Sequence, residues 1–248
     1  MQARLYGFSI SNASQTARLM LEFKGVETKR VELLPGLHPL LLRASGFRRG
    51  TVPALKLDGR KIEGSLEIAQ ELERLVPEPS LYPADPEARR AVEEAERWGE
   101  AELQMVPRRI FRWVFAHDNA ARTYLAKEIG LPLPSVAAAM NQPIARLMGA
   151  RVDADEEHAR AILANLPGTL DHVDALIADG VIGNETPNAA DFQIAPSIRS
   201  LDAVGELAPL FADRPCLALA RRLMPDFPAA PPNMLSPELL ALAGVSRG

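Results

Sequence analysis

The stretch from Thr51 to Glu73, TVPALKLDGRKIEGSLEIAQELE, carries two kinds of binding chemistry in one short segment. A proline inside a strand removes a ladder hydrogen bond, so Pro53 belongs at the head of the apolar run ALKL. An X-Pro bond in that position can be cis, which exposes the backbone of the preceding residue. Val52 would then offer its N–H and C=O to an extended ligand, much as an added strand would. Farther along, Ser65 opens a helix. Its hydroxyl and the first free N–H groups suit a carboxylate. One segment could therefore hold a peptide backbone at one end and a carboxylate at the other.

The elements that must position these groups can be read from the spacing. ARLYGF (Ala3 to Phe8) reads as a strand. SNASQTARLMLEFKG reads as a helix, with Ser11 or Asn12 as N-cap and Gly25 just past the end. TKRVELL (Thr28 to Leu34) is a second strand. PGLHPLLLRASG is a short helix, with Pro39 in its first turn and Gly46 beyond it. ALKL and RKIEG flank Asp58-Gly59, a two-residue hairpin signal. The helix from Ser65 lines up Ile68, Leu72, Leu75 and Val76. The order β-α-β-α-β-β-α predicts a right-handed parallel crossover, then an antiparallel hairpin, in one four-stranded mixed sheet covered by helices.

After the proline-rich VPEPSLYPADPE, strand signals nearly vanish. ARRAVEEAERWGEAELQ is a long amphipathic helix, and the helical segments beyond it are expected to break at Pro107, Pro132, Pro134, Pro143 and Pro167. The tail AAPPNMLSPELLALAGVSRG is expected to wrap the surface. The boundaries fall at 1–77, a linker over 78–86, and an all-helical part over 87–248.

Composition excludes several classes. The 248 residues are 47% apolar and 24% charged, with a net charge of −4, which gives no footing for nucleic acid or an anionic membrane surface. No apolar run is long enough to span a bilayer. The opening MQARLYGFSISNASQ lacks the layout of a signal peptide, so the expected compartment is the cytoplasm. One cysteine, Cys216, excludes an internal disulfide, a CxxC pair and a Cys-based zinc site. The four histidines, His38, His117, His158 and His172, form no local metal pattern.

The pattern G-x-V-P-A-L, a hairpin, then I-x-x-S-x-x-I-x-x-x-L-E resembles the glutathione site of the cytosolic glutathione transferase superfamily. LYGFSIS…ARLMLEFKG resembles that family's first strand and helix. NETPNAADFQIAPSI resembles its buried capping motif. The likeness spans nearly the whole chain and implies a thioredoxin-like α+β domain, a linker and an all-α helical bundle. It implies glutathione as co-substrate, held by Thr51, Val52, Pro53, Glu63, Gly64 and Ser65, and a homodimer.

Ser11 falls where Ser- or Cys-type members place their activating residue. A hydroxyl donating to sulfur at the positive end of a helix favours the thiolate. Ser9, Asn12 and Ser14 share that loop, Tyr6 lies earlier in the strand, and Ser11 also reads as a plain N-cap. Many members carry an acid where this chain has Gly64, and that acid grips the γ-glutamyl ammonium. Glu63 or Glu67 could substitute, or another small thiol could bind. The resemblance also makes ELQMVPRRIFRWVF (Glu102 to Phe115) the wall of an electrophile pocket. Met105, Phe111, Trp113 and Phe115 would line that pocket, and Arg108, Arg109 and Arg112 would hold an acidic substrate in it. Helical spacing reads the same apolar residues as core. Asn188 and Asp191 form a capping box. The reading is thiol transfer to a small electrophile. The alternatives are a glutathione-dependent isomerase and a non-catalytic binding protein of the same fold.

Overall fold

The computed structural model describes residues 2–34 and 36–245. The expectations for Pro35 and for the last three residues, 246–248, lie outside that set. Strand β1 (Ala3–Gly7) leads into helix α1 (Asn12–Phe23), β2 (Thr28–Glu32) and α2 (His38–Ala44). The hairpin β3 (Ala54–Leu57) and β4 (Arg60–Glu63) follows, then α3 (Ser65–Leu75). The sheet order is β2-β1-β3-β4; β1 runs parallel to β2 and antiparallel to β3. The hairpin turn has Asp58 at φ 46° and Gly59 at φ 87°, the two positive angles a tight two-residue turn requires.

The rest is helical. Helix α4 (Pro86–Trp98) runs through one π-helical turn, Gly99–Leu103, into α5 (Met105–His117). Then come α6 (Asn119–Glu128), α7 (Pro134–Ala150), α8 (Glu156–Ala178) and α9 (Ala189–Asp202). A 3₁₀ stretch (Gly205–Phe211), α10 (Pro215–Leu223) and α11 (Pro237–Leu242) complete the chain. No described helix is long and apolar enough to cross a membrane.

One core joins both halves. Ala17, Met20 and Leu21 of α1 are buried with Ile194 and Ile198 of α9, the helix at the centre of the bundle. A smaller cluster of Leu33, Leu42, Phe47 and Ala54 fills the other face of the sheet beneath α2. Tyr6 packs there edge-on to Phe47, ring centres 5.3 Å apart, away from the loop before α1.

Three expectations need correction. Pro132 and Pro134 do fall at the break between α6 and α7, whereas Pro107 sits in the first turn of α5, a tolerated position. Pro143 and Pro167 lie inside α7 and α8 without ending them. In α8 the buried Leu163, Leu166, Leu170 and Val173 hold the helix across the missing backbone bond. The tail does more than wrap the surface: Met234, Leu235, Leu239, Leu240, Ala243 and Val245 are buried in the main core.

Candidate functional site

Ser11 is the N-cap of α1, with φ −86° and ψ 118°. Its Oγ accepts from the Ser14 N–H at 3.3 Å, which uses a lone pair and leaves the hydroxyl proton free to donate. Its loop neighbours are occupied. Ser14 is buried, and its Oγ accepts from the Phe8 N–H at 3.3 Å. Asn12 donates from Nδ2 to the Gln104 carbonyl and to Ser197 Oγ, both at 3.1 Å, and so ties the start of α1 to α5 and α9. The Ser9 carbonyl accepts from the Gln15 side chain.

The Val52-Pro53 bond is cis. Val52 lies beyond the sheet ladder, whose last β1–β3 rung is Tyr6 with Ala54. Thr51 is exposed beside it. The Gly64 N–H donates to the Pro53 carbonyl at 3.0 Å, which joins the two ends of the segment. Ser65 is the first residue of α3, and its hydroxyl makes no cap bond. It donates instead to Glu100 Oε1 at 3.3 Å. Glu100 lies in the π-helical turn between α4 and α5, a distortion that recurs at functional sites. Burial, with Glu67 nearby, pushes its carboxyl upward, while Ser65, Arg108 and Arg49 pull the other way.

Neither substitute acid near Gly64 is free. The Glu63 carboxylate accepts from the backbone N–H groups of Arg48 at 2.5 Å and Arg49 at 2.6 Å. Glu67 pairs with Arg49 at 2.6 Å. Gly64 itself sits at φ 106°, and a Cβ there would run into the Glu67 carboxylate. A side chain at this position is therefore strained as well as crowded.

On α5 the three arginines separate. Arg109 donates from Nε to the Val152 carbonyl at 2.8 Å and lies 4.0 Å from Asp153, so it clamps the end of α7. Arg108 reaches Gln104 Oε1 and, at 3.5 Å, Met105 Sδ. Arg112 donates to the Met148 carbonyl at 2.9 Å. Burial lowers the affinity of Arg108 for its proton, and burial with Arg108 and Arg151 close by lowers Arg112 to about 10. Phe111, Trp113 and Phe115 pack against the main core, as helical spacing implies.

Residues 5–80 match the family described as "Glutathione S-transferase, N-terminal domain". A crystal structure of a glutathione S-transferase from Rhodospirillum rubrum F11 superposes with a TM-score of 0.58 at 21% identity, over 97% of this chain and 99% of that one. The chain shares the fold of that structure, and its first third carries the match to the family's N-terminal domain. Beta-etherase LigF from Sphingobium sp. strain SYK-6 superposes at 0.61 with 20% identity, over 90% and 99% of the two chains. A glutathione S-transferase from Methylobacterium radiotolerans JCM 2831, solved in complex with glutathione sulfonate, gives 0.53 at 18% identity, over 100% and 96%. No curated protein matches the sequence.

Within this transferase-like fold, Glu100 escaped the sequence reading. Its contact with Ser65 spans 35 positions and depends on the π turn. The only local signal is Gly99, an isolated glycine inside an amphipathic helix. Asn188 and Asp191 make the full capping box, and Asp191 also accepts from the Gly183 N–H at 2.8 Å. Cys216 is buried, and burial pushes its thiol up to about 12. Among the described residues, no group of three or more His, Cys, Asp and Glu has the makings of a metal site.

Proposed function

We propose that this chain binds glutathione between the loop before α1, the cis-proline segment and the π turn, and transfers the thiol to a small electrophile. The observation that carries this reading is the meeting of Ser65 and Glu100 at the start of α3. An α-amino acid end carries a carboxylate and an ammonium side by side. Ser65 and the free N–H groups of α3 suit the carboxylate, and Glu100 suits the ammonium. Glu100 thus supplies, from the helical half, the acid that Gly64 lacks. Thr51, Val52 and Pro53 would flank the cysteinyl backbone, and Glu63 acts indirectly by fixing the Arg48–Arg49 loop.

Ser11 would donate its hydroxyl proton to the sulfur, at the positive end of α1. The thiol proton leaves to solvent. The sulfur lone pair then forms a C–S bond, and either a leaving group departs with its electron pair or the adduct takes up a proton. Met105, Arg108 and Arg112 would face the electrophile; Arg109 is committed to Val152 and Asp153. The isomerase alternative uses the same residues and returns glutathione unchanged. A homodimer and a cytoplasmic location remain part of the proposal through the resemblance to the superfamily.

The test is the ultraviolet absorbance of thiolate in the glutathione complex, followed against pH in wild type and Ser11→Ala. The expected result is a thiol midpoint below that of free glutathione, moved up by about one unit in the variant, which corresponds to one charge-assisted hydrogen bond. An unchanged midpoint would remove Ser11 from the chemistry, and a midpoint equal to that of free glutathione in the wild type would favour a non-catalytic binding protein.

A further inference from the structure

The C-terminal end of α7 brings Arg151 close to Arg112 of α5. Arg112 of α5 donates to the Met148 carbonyl at 2.9 Å, and Arg151 reaches Met148 Sδ at 3.9 Å, so both guanidinium groups meet at one residue. His38, at the start of α2, lies within electrostatic reach of both, and both push its proton affinity down in addition to burial. His38 is only 7% exposed. Its ring stands edge-on to Phe8 at 5.1 Å, and among the described residues its Nδ1 has no hydrogen-bond partner. Arg112 and Arg151 form no ion pair among the described residues; their nearest polar contacts are the carbonyl and thioether of Met148.

This is a costly arrangement for a folded chain. The Arg112 guanidinium is half-buried, and one carbonyl bond replaces only part of the hydration it loses. The exposed Arg151 adds a like charge beside it, next to the unpartnered imidazole nitrogen of His38. An anion settled among them offsets the repulsion and gives both buried groups a partner. The surroundings are apolar: Leu34 and Leu37 precede His38, and Ile144 and Leu147 lie on α7, each 39–55% exposed. The two walls touch, since a Cβ on Gly36 would lie 2.9 Å from Ile144 Cγ2.

We infer that Arg112, Arg151 and His38 form a carboxylate site whose ligand is an acid on an apolar frame. The inference deepens the transfer reading above: it assigns the electrophile a carboxylate, held by this triad while the apolar frame rests on the α2 and α7 leucines. Arg112 and Arg151 supply the charge, and His38 donates from Nδ1 once the anion is present.

The experiment needs no thiol, so its failure is distinguishable from failure of the glutathione reading. Phenylacetate, phenylacetamide and acetate are titrated by calorimetry into wild type, Arg112→Met and Arg151→Met, with glutathione titrated separately into the same samples. The expected result is phenylacetate binding at least tenfold tighter than either comparison ligand, as loss of a charged hydrogen bond or of the apolar contact predicts. Arg151 is exposed, so Arg151→Met tests the site without threatening the fold, and about a tenfold loss of phenylacetate affinity is expected in it. Equal binding of acid and amide, or an undiminished affinity in Arg151→Met, would overturn the site. Acetate binding as tightly as phenylacetate would overturn its apolar half.

Discussion

Six described helix N-termini are capped by short polar side chains, and two of them, at α9 and α1, differ in what is left over. At α9, Asn188 and Asp191 satisfy each other's backbone N–H groups, Asp191 takes the Gly183 N–H as well, and nothing remains to offer a ligand. At α1, Ser11 caps one N–H and no acid answers it, so a hydroxyl proton and the positive end of the helix stay available. The same contrast runs through the buried charges. Lys24 at the end of α1 meets Glu73 at 2.6 Å and the Val76 carbonyl at 2.7 Å. Among the described residues Arg112 meets no acid, and the His38 Nδ1 has no partner. Closed polar groups hold the fold; open ones keep hydrogen-bonding capacity unspent.

Breaking the closed cap should cost the most. Asp191→Ala orphans the Asn188 and Gly183 N–H groups at a fully buried position, and a loss of about 3 kcal/mol in denaturant unfolding is expected. An effect below about 1 kcal/mol would mean that the cap is not closed in solution.

Glu96 sharpens the contrast from the other side. It is a buried acid that is only half satisfied: Oε2 accepts from the Tyr82 hydroxyl at 2.8 Å while Oε1 has no partner. Burial, with Glu100 and Glu93 nearby, raises it to about 7 against the Tyr82 hydrogen bond. Between its ordinary value of 4.5 and about 7 the folded chain keeps a proton that the unfolded chain releases. Stability should therefore fall as pH rises through that window, by roughly 2–3 kcal/mol in all. Glu96→Gln should flatten that fall, as read from urea midpoints at several pH values. A profile identical to that of the wild type would place the titration elsewhere.

The smallest stability effect belongs to the open cap. Ser11→Ala should lower stability by only about 1 kcal/mol, the ordinary worth of an N-cap, while changing the thiol chemistry far more. A large loss of stability with unchanged thiol ionisation would make α1 another closed terminus.

What the sequence made legible was local. The Asp58-Gly59 turn, the Ser11 cap and the Asn188 box each rest on residues three or fewer positions apart, so their geometry follows from residue type. Ser65 was legible as the first residue of α3 but not as the partner of Glu100, because that meeting depends on one π turn forming in a helix whose pattern marks it with nothing but Gly99. Arg108, Arg109 and Arg112 looked alike in sequence and part company only where α7 docks. His38 and Arg151 were invisible for the same reason. Pro143 and Pro167 misled because packing outweighs a single lost backbone bond.

The most direct measurement is calorimetric titration of glutathione into wild type, Ser65→Ala and Glu100→Gln. Saturable binding in the wild type, weakened about tenfold in each variant, is the expected result, since each variant removes one charge-assisted contact to the amino acid end. Absence of binding at millimolar glutathione, or binding indifferent to both substitutions, would contradict the assignment of Ser65 and Glu100 to the thiol.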